Sequence, residues 1–480
     1  MQYDNDAKQL KYRVLKTVAE NEFNGTLEEN LDQIPYDVIP GPLPTFRCCI
    51  YREREIIRER VTAARGKSLP NQAEEGIVGV MPAACEGCPI SRFTVTDNCQ
   101  RCLAKKCQAA CPFGAISVTG RGAYIDPAKC KECGRCAAAC PYNAISDTMR
   151  PCLRACPVDA IIMNENKQAA IDYSKCISCG ACTTNCPFGA ITDRSYIVDV
   201  IDLIKSDIPV YAVFAPAIEG HFGTANVGML KAALRKLGFT DACEVSLGAD
   251  ATSYHEAHEL VDAVENHSKM TTSCCPAFVD MIEKHFPKVV PYISKTASPM
   301  TMTVRYLKAE HPEIKVVFIG PCIAKKLEAK KVQDTADYVM TFEELAALFD
   351  AQGINPMDMA ENEQDGSLAG KNYAVSGGVS AAVAQVLEEE GIEIPFSCVK
   401  CNGAAECKKA LMLLNAGRFK DDMIEGMACE GGCVSGPGGV ETPLRLKKNR
   451  AKLLSAADNR GIVENFNQHG FAEKINMEQR

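Results

Sequence analysis

Cysteine is the residue type whose number and spacing in this sequence most directly indicate chemistry. The 480 residues include 27 cysteines, and 16 of these lie between Cys85 and Cys186, far above ordinary usage. Closely spaced thiolates are typical metal ligands, whereas disulfides are the alternative in exported proteins. The first residues, MQYDNDAKQL, lack the charged start and apolar core of a signal peptide, and an odd number of cysteines leaves one thiol unpaired. We therefore expect a cytoplasmic protein whose cysteines bind metal.

Two segments have the spacing in which three thiolates of one loop bind one 4Fe-4S cluster and a fourth, followed by proline, reaches the neighbouring cluster. They are Cys130-x2-Cys133-x2-Cys136-x3-Cys140-Pro141 and Cys176-x2-Cys179-x2-Cys182-x3-Cys186-Pro187. This spacing resembles that of bacterial two-cluster ferredoxins. Their crossover arrangement predicts two ligand sets: Cys111, Cys130, Cys133 and Cys136, and then Cys156, Cys176, Cys179 and Cys182.

The two remaining cysteine segments depart from the ferredoxin spacing. The segment Cys99-x2-Cys102-x4-Cys107-x3-Cys111-Pro112 has a longer gap, and Cys152-x3-Cys156-Pro157 lacks a leading pair, which Cys85-x2-Cys88 could replace. Four ligands per cluster divide the 16 cysteines into about four accessory 4Fe-4S clusters. A zinc site at one Cys-x2-Cys pair is the competing interpretation. The sequence leaves open how eight ligands are shared: Cys85, Cys88, Cys99, Cys102, Cys107, Cys140, Cys152 and Cys186.

Three cysteine motifs of another kind lie far apart in the second half of the chain. They are Thr272-Ser-Cys274-Cys275-Pro-Ala-Phe278, Pro321-Cys322-Ile-Ala-Lys325-Lys326 and Met427-Ala-Cys429-Glu-Gly-Gly-Cys433. Their spacing is neither that of a zinc site nor that of a ferredoxin. In this order they resemble the three signatures of the iron-only (FeFe) hydrogenase catalytic domain. The resemblance covers the cluster module and residues 208–440.

The resemblance implies an H-cluster, which is a 4Fe-4S cube joined through one cysteine to a two-iron unit with CO, cyanide and a bridging azadithiolate. Matched motif by motif, the expected ligands of the cube are Cys275, Cys322, Cys429 and Cys433, and Cys433 bridges to the two-iron unit. Lys325 matches the residue that hydrogen-bonds a cyanide, since a buried anion needs a cation beside it. Further cofactor-binding residues are expected around the two-iron unit: Ala215, Pro216, Ala217, Met427 and, where backbone could approach closely, Gly377 and Gly378.

Protons need a route of their own to this buried cofactor. The resemblance makes Cys274 the proton shuttle and assigns its relay neighbours as Glu256, Ser294 and Glu259. The two glutamates lie three residues apart on a predicted helix over 251–266 and so share one face, although that spacing alone is more typical of a solvated acidic stripe. Ala263 stands where familiar members have arginine, so the outer end of the route is expected to differ.

Several positions depart from the family pattern and make the chain resemble a divergent branch. Phe278 stands where many members have tryptophan, Gly320 stands where the best-studied members have methionine, and the third motif ends SGPGG. These residues surround the cluster and do not bind it. Thiols outside the three signatures could form an extra metal site or have structural or redox-protective roles: Cys243, Cys398, Cys401 and Cys407.

The elements that must position these residues are of two kinds. The segments at 114–130 and 159–176, between cysteine loops, are long enough only for hairpins. From about 208 onwards, apolar strands such as IPVYAVFAPAI and IKVVFIG alternate with amphipathic helices, which indicates an α/β domain. The fold class is therefore an α+β ferredoxin-like iron-sulfur module followed by an α/β iron-only hydrogenase catalytic domain.

The domain boundaries follow from these changes in pattern. We expect an N-terminal helical and loop segment, the cluster module, the catalytic domain and a C-terminal helical tail at 1–78, 79–190, 208–442 and 443–480. The first segment contains Cys48 and Cys49, which as neighbours are poor ligands for one ion, and a helix, YREREIIRERVTAARG, whose alternating charges are typical of a solvated face.

Composition limits the partners. The net charge is −8 without a long basic segment, which argues against nucleic acid, and no apolar run approaches the ~20 residues that span a membrane. The resemblance implies a hydrogenase that interconverts protons and H2, exchanges electrons with ferredoxin or a similar small carrier and depends on maturation proteins. The alternatives are a hydrogen or redox sensor and a non-catalytic iron-sulfur protein. Retention of Cys274 and Lys325 argues against the last.

Overall fold

The N-terminal segment is helical because apolar residues recur along it at helical spacing. A computed structural model describes residues 3, 5–85, 88, 91–457 and 460–479 of the chain. Asn5 caps the first helix by accepting a hydrogen bond from the Ala7 N–H at 2.8 Å, and Val14, Leu15 and Val18 are buried. The helices are α1 (Asp6–Phe23), α2 (Leu27–Asn30), α3 (Ile34–Val38) and α4 (Ile50–Ala64).

Helix α4 is more buried than its charges predict. Glu53 and Arg60 are 0% and 5% exposed. The Glu53 carboxylate accepts hydrogen bonds from the backbone N–H groups of Thr45 and Arg47, both at 2.7 Å, while Arg60 donates to the Gly189 carbonyl at 2.7 Å. The expectation of a solvated helix is therefore wrong for this face, because its charges satisfy backbone groups of a loop and of the cluster module.

The cluster module consists of short strands and one-turn helices between the cysteine loops. Strands β3 and β4 pair antiparallel, as do β6 and β7, which confirms both predicted hairpins. The pairing of β1 with β8 joins the two ends of the module, and β2 pairs with β5. The elements are β1 (Val78–Val80), β2 (Phe93–Val95), α5 (Lys106–Ala109), β3 (Ile116–Thr119), β4 (Gly122–Ile125), α6 (Arg135–Ala139), β5 (Ile145–Asp147), α7 (Pro151–Ala155), β6 (Ile161–Met163), β7 (Ala169–Ile171), α8 (Ala181–Asn185) and β8 (Ile191–Asp193).

The domain from residue 208 onwards alternates strands with helices, as its sequence predicts. One-turn 3-10 segments occur at Pro216–Ile218, Pro287–Tyr292, Pro356–Asp358 and Cys433–Ser435. The regular elements are α9 (Ile197–Lys205), β9 (Val210–Phe214), α10 (Val227–Leu237), β10 (Asp241–Glu244), α11 (Ser246–Glu265), β11 (Met270–Thr271), α12 (Pro276–His285), α13 (Pro299–Glu310), β12 (Lys315–Ile319), α14 (Ala324–Lys331), β13 (Tyr338–Met340), α15 (Phe342–Ala351), α16 (Leu368–Asn372), α17 (Gly378–Glu390), β14 (Cys398–Asn402), α18 (Ala404–Asn415) and β15 (Met423–Met427).

Two parallel sheets form the centre of this domain. The first has the strand order β10-β9-β12-β13 and the second β11-β15-β14, and every pairing in both is parallel. The central strands β9 and β15 are almost wholly buried, as expected for parallel sheets covered on both faces. The carboxyl ends of these strands are therefore available to carry a site.

Helix α11 begins at Ser246, earlier than the predicted 251–266 helix. Gly248 in its first turns lies against α13, and a Cβ there would come within 2.2 Å of Thr303 Oγ1 and 2.3 Å of the Pro299 carbonyl oxygen. Gly248, a residue type that usually disfavours a helix, thus allows α11 and α13 to pack closely.

The chain ends in three helices that pack back onto the catalytic domain. Ile462 and Phe471 are buried there, so this tail is part of the core. No helix within the described residues is both long and apolar enough to cross a membrane. The tail helices are α19 (Pro443–Leu454), α20 (Ile462–His469) and α21 (Phe471–Lys474).

Candidate active site

The segments that carry the three catalytic motifs follow the ends of parallel strands. Ala215 follows β9, Cys274 and Cys275 follow β11, Cys322 follows β12 and Cys429 follows β15. Carboxyl ends of parallel strands share one edge of a sheet, where open α/β sheets bind their ligands. Strands β9 and β12 bring Ala215 and Cys322 to one edge of the first sheet, and β11 and β15 bring Cys275 and Cys429 to one edge of the second. The topology therefore brings together motifs that are far apart in sequence.

These segments line one internal, mostly apolar cavity of ≈ 90 Å³. Its wall also includes Lys325, Met427 and the predicted loop 215–217. Every cysteine assigned to the H-cluster and the predicted proton shuttle contribute to it: Cys274, Cys275, Cys322, Cys429 and Cys433.

The chemistry of this donor set fits a cysteine-bound cluster. All five thiols are free. Burial, reinforced by the neighbouring Cys275 thiol, raises the pKa of Cys322 to about 11 and that of Cys433 to about 12. Buried sulfurs that repel one another as thiolates need cations between them, and thiolates are the ligands that iron-sulfur clusters use.

Lys325 is the buried cation of the cavity. Its ammonium donates a hydrogen bond to Ser298 Oγ at 2.9 Å and lies 2.6 Å from Glu328 Oε2. Burial lowers the pKa of Lys325, but the Glu328 carboxylate more than offsets this and leaves the pKa raised. The lysine therefore stays charged beside the thiols.

The structure gives Gly377 and Gly378 another role than the expected approach to the cluster, since neither is among the described residues of the cavity wall. The Gly377 N–H donates to Glu425 Oε1 at 2.6 Å with a φ of 87°. A Cβ on Gly378 would lie 2.1 Å from the Asn372 carbonyl oxygen. Backbone packing at the start of α17 thus requires these glycines, whereas Gly432, with a φ of 88°, lines the cavity.

Phe318 occupies the space beside Gly320, one of the positions that depart from the family pattern. A Cβ on Gly320 would meet the Phe318 ring at 2.6 Å, and that ring lines the cavity. Sequence analysis identified the glycine and missed the phenylalanine, because the compensating side chain comes from two residues earlier on β12.

The inner part of the predicted proton route contains a tyrosine that sequence analysis missed. The Tyr373 hydroxyl donates to Glu256 Oε2 at 3.3 Å and also makes a side-chain hydrogen bond with Cys274. Burial raises the pKa of Glu256 to about 8, with a further contribution from Glu259, and burial also raises the pKa of Cys274 well above its ordinary value. Both groups are therefore protonated near neutral pH.

The outer part of the route centres on Glu259. Its carboxylate accepts hydrogen bonds from Ser294 Oγ, from Thr296 Oγ1 at 2.9 Å and from the Lys295 N–H at 2.9 Å. Glu256 instead accepts the Ser273 N–H at 3.3 Å. Among the described residues no direct hydrogen bond joins Glu256 to Ser294, so the inner and outer parts are separate clusters of hydrogen bonds.

Both accessory ligand sets predicted by the crossover arrangement lie together. One small cavity is lined by Cys111, Cys130, Cys133 and Cys136. In the second set, the pKa of Cys182 is raised by burial and then by its neighbours, in the order Cys179, Cys176 and Cys156. Cys179 also lines the cavity of the candidate active site, so this set is next to the catalytic motifs.

The structure also groups the cysteines whose partition the sequence left open. Burial raises the pKa of Cys152 to about 11, and thiols that raise it further are Cys186, Cys85 and Cys88. The pKa of Cys107 is raised by burial and also by Cys140 and Cys102, which leaves Cys99 as the fourth member of that group.

A repeated turn supports the sulfurs of the four Cys-Pro segments. In each, the alanine four residues after the cysteine donates its backbone N–H to the cysteine Sγ at 3.2–3.4 Å. Such hydrogen bonds adjust the reduction potential of a bound cluster. The pairs are Ala115 with Cys111, Ala144 with Cys140, Ala160 with Cys156 and Ala190 with Cys186.

The thiols outside the signatures do not assemble into one extra site. Cys243 lies on β10 of the first sheet, and its charged neighbours include Asp365 and Lys231. Cys401 instead lies on β14 of the second sheet and is hydrogen-bonded to Cys407. Cys243 therefore does not complete a site with the trio at 398–407, and Cys48 and Cys49 are exposed.

Comparison with known families agrees with this architecture. Residues 208–437 match the family model of the iron only hydrogenase large subunit, C-terminal domain. Residues 146–197 match the LdpA Fe-S cluster-binding domain, and residues 123–146 match the 4Fe-4S binding domain. These matches confirm the predicted fold class, a ferredoxin-like module followed by a hydrogenase-type α/β domain.

Among curated relatives, iron hydrogenase 1 of Clostridium pasteurianum is 29% identical over 49% of this chain and 50% of its own length. The NADP-reducing hydrogenase subunit HndD of Solidesulfovibrio fructosivorans is 26% identical over 77% of this chain and 68% of its own. A shorter match, to the cytosolic Fe-S cluster assembly factor NAR1 of Meyerozyma guilliermondii, is 29% identical over 24% of this chain and 25% of that protein. The chain thus spans about half the length of the first of these relatives.

Proposed function

We propose that this chain, a divergent FeFe hydrogenase-like protein with an iron-sulfur module, interconverts protons and dihydrogen at an H-cluster. The observation that carries the proposal is the single cavity on which the five cysteines of the three motifs and a buried lysine converge, next to Cys179 of the cluster module. An iron-sulfur protein without the two-iron unit needs four thiolates for its cube, and this wall offers a fifth thiol, Cys274, beside them.

In this proposal one group of residues binds the cofactor and another transfers protons. Cys275, Cys322, Cys429 and Cys433 would hold the cube, with Cys433 shared by the two-iron unit. When bound, the H-cluster supplies the centre at which H2 is split heterolytically. Lys325 places a fixed positive charge at its anionic ligands, and the apolar wall formed by residues such as Met427 and Phe318 excludes water. A buried charge pair in such surroundings is strong because the local dielectric is low.

Cys274 is the proton donor and acceptor nearest the cofactor in this proposal. Its thiol is hydrogen-bonded to Tyr373, which in turn donates to Glu256. A carboxyl whose pKa is about 8 can take up and release protons near neutral pH, as general acid-base catalysis requires.

The four cysteine groups would hold accessory 4Fe-4S clusters, which when bound would supply electrons to the site. The group with Cys179 borders the catalytic cavity, and Cys152 lies among the neighbours of Cys182, so two clusters would adjoin each other and the cube. We propose a reduced ferredoxin or similar small carrier as the electron donor, and hydrogenase maturation proteins as the source of the two-iron unit.

Infrared spectroscopy of protein co-produced with hydrogenase maturation proteins tests the proposal. We expect CO and cyanide bands together with H2 evolution from reduced ferredoxin. Cys433→Ser removes the thiolate shared by both halves of the H-cluster and should abolish the bands, while Cys401→Ser, outside the ligand set, should keep them. Bands that persist in Cys433→Ser would contradict the assignment of the third motif.

The short match to a cluster assembly factor supports a second candidate, an iron-sulfur protein that holds only the cube. That candidate predicts iron and sulfide in the catalytic domain without CO or cyanide bands. A hydrogen sensor, in contrast, would show the bands with little turnover. The same spectra and rates therefore separate the three functions.

A further inference from the structure

We propose that Thr296 and His255 form the outer end of the proton route, so that protons pass between solvent and Glu259 through a hydroxyl and an imidazole. This inference rests on the proposed hydrogenase function and adds two residues to its proton path. It concerns the outer part of the route, where Ala263 stands in the position of the arginine of familiar family members.

The hydrogen bonds run in one continuous line. His255 Nδ1 lies 2.7 Å from Thr296 Oγ1, and Thr296 Oγ1 donates to Glu259 Oε2 at 2.9 Å. The same carboxylate oxygen accepts the Ser294 hydroxyl. Since Thr296 already uses its only hydroxyl proton towards Glu259, it must accept from His255, which places a proton on Nδ1 of the imidazole.

The line has a partly exposed imidazole at one end and a partly exposed carboxylate at the other, with buried hydroxyls between and beside them. Thr296 is 0% and Ser294 3% exposed, whereas Glu259 and His255 are only partly buried. Thr296 lies on the segment just before α13, and its backbone N–H donates to Ser294 Oγ at 3.1 Å. The hydroxyl is therefore held rigidly between the imidazole and the carboxylate.

Proton transfer along the line balances without any other reactant. A hydrated proton adds to His255 Nε2, the Nδ1 proton moves to Thr296 Oγ1, and the threonine proton moves to Glu259. The imidazole and the hydroxyl each gain and lose one proton, and the carboxylate becomes a carboxylic acid. Rotation or tautomer exchange of His255 then restores the starting arrangement. Histidine suits this position because its imidazole can accept a proton at one ring nitrogen and release another from the second.

The test measures H2 evolution on matured protein whose CO and cyanide bands have been verified. His255→Ala should lower the rate by roughly 10- to 100-fold, since general acid-base groups contribute about 10² or more, and added imidazole should restore a large part of it. A purely structural role for His255 would not give rescue by a small base. A second readout needs no cofactor: ¹⁵N NMR of histidine-labelled protein should place the His255 proton on Nδ1, and Thr296→Val should remove that preference.

Variants of Thr296 and His258 provide the controls. Thr296→Val keeps the shape but breaks the line, so its rate should fall without imidazole rescue, and Thr296→Ser should retain activity. His258→Ala alters an exposed imidazole on the same helix, bonded to the Tyr254 carbonyl and close to Glu390, and should match the parent. An active parent whose His255→Ala variant keeps the full rate overturns this route alone. A parent with intact bands and no H2 chemistry overturns the proposed function, and the route with it.

Discussion

Adjacent residues in the catalytic motifs have different surroundings and therefore different roles. Cys275 precedes Pro276 at the start of α12 and is proposed to bind the cube, whereas the Cys274 thiol is hydrogen-bonded to Tyr373. Lys325 faces the cavity, while its neighbour Lys326 points away from it into a buried cluster of carboxylates. A motif gives residue types in order, but only the fold decides which side chain meets which partner.

Replacement of Cys274 should separate proton transfer from cofactor binding. Cys274→Ala should abolish most H2 turnover, by ~10²–10⁴-fold, with unchanged CO and cyanide bands, because Cys274 is not among the proposed ligands of the cube. Cys274→Asp restores a titratable group and should lose less. Near-normal evolution by the alanine variant with verified cofactor occupancy would show that protons take another path.

Glu256 should make stability depend on pH. Its pKa is about 8 in the folded chain against 4.5 for the free side chain, so the folded state binds more protons than the unfolded state between these values. Stability should therefore fall as pH rises through this window, by up to a few kcal/mol at ~1.4 kcal/mol per pKa unit. Glu256→Gln should flatten the profile of thermal midpoint against pH from about 5 to about 9. A parent and variant with parallel profiles would contradict the raised pKa.

At the scale of elements, the strands and the ligand loops were predictable from the sequence, and their contacts were not. The apolar runs of β9 and β12 and the hairpins between cysteine loops follow from periodicity and spacing. Tyr373, Thr296 and His255 carry no motif, since their roles arise from hydrogen bonds between segments distant in sequence. The start of α11 at Ser246 could not be predicted either, because a glycine at position 248 is explained only by the close packing of α11 against α13.

Helix α14 joins the three parts of the chain through Lys326. Its buried ammonium donates to Asp193 Oδ2 at 2.7 Å, at the end of β8, and to both Glu344 carboxylate oxygens at 3.0 Å, on α15. Lys11 of α1 donates to the other Asp193 oxygen and to Glu343, both at 2.7 Å. The N-terminal helix, the cluster module and the catalytic domain thus meet in one buried set of charges.

Removal of this cation should destabilise the junction. Lys326→Met leaves Asp193 and Glu344 buried with too little positive charge, which typically costs about 3–5 kcal/mol. We expect a clearly lower thermal midpoint, measured by circular dichroism. Lys330→Met, one turn later and exposed, is the matched control and should change the midpoint little. Equal midpoints for the two variants would show that the buried charges do not hold the parts together.

At the scale of the whole molecule, the cysteine groups form the electron path that we propose into the cavity of the candidate active site. The set with Cys179 borders that cavity, and the set with Cys152 adjoins it. The remaining two sets lie in the lobe between β2 and β5, where Cys133 is exposed and so accessible to a carrier. Sequence spacing predicted two of the four sets, while the other two depend on how the altered loops fold.

Iron content should report this organisation directly. Fully loaded protein should contain about 16 iron atoms in accessory clusters, in addition to the H-cluster, because each 4Fe-4S cluster takes four thiolates. Cys85→Ser with Cys88→Ser, and separately Cys99→Ser with Cys102→Ser, should each remove about four irons and matching sulfide while the CO and cyanide bands remain. Cys49→Ser, which alters an exposed thiol, should remove none. A stoichiometry that fits only two accessory cubes, or zinc recovered in place of iron, would refute the four-cluster assignment.

The rate of H2 evolution tests whether Cys85 and Cys88 belong to the electron path. If they do, their loss should slow H2 evolution from reduced ferredoxin. Hydrogen-deuterium exchange at the proposed H-cluster needs no external electrons and should continue.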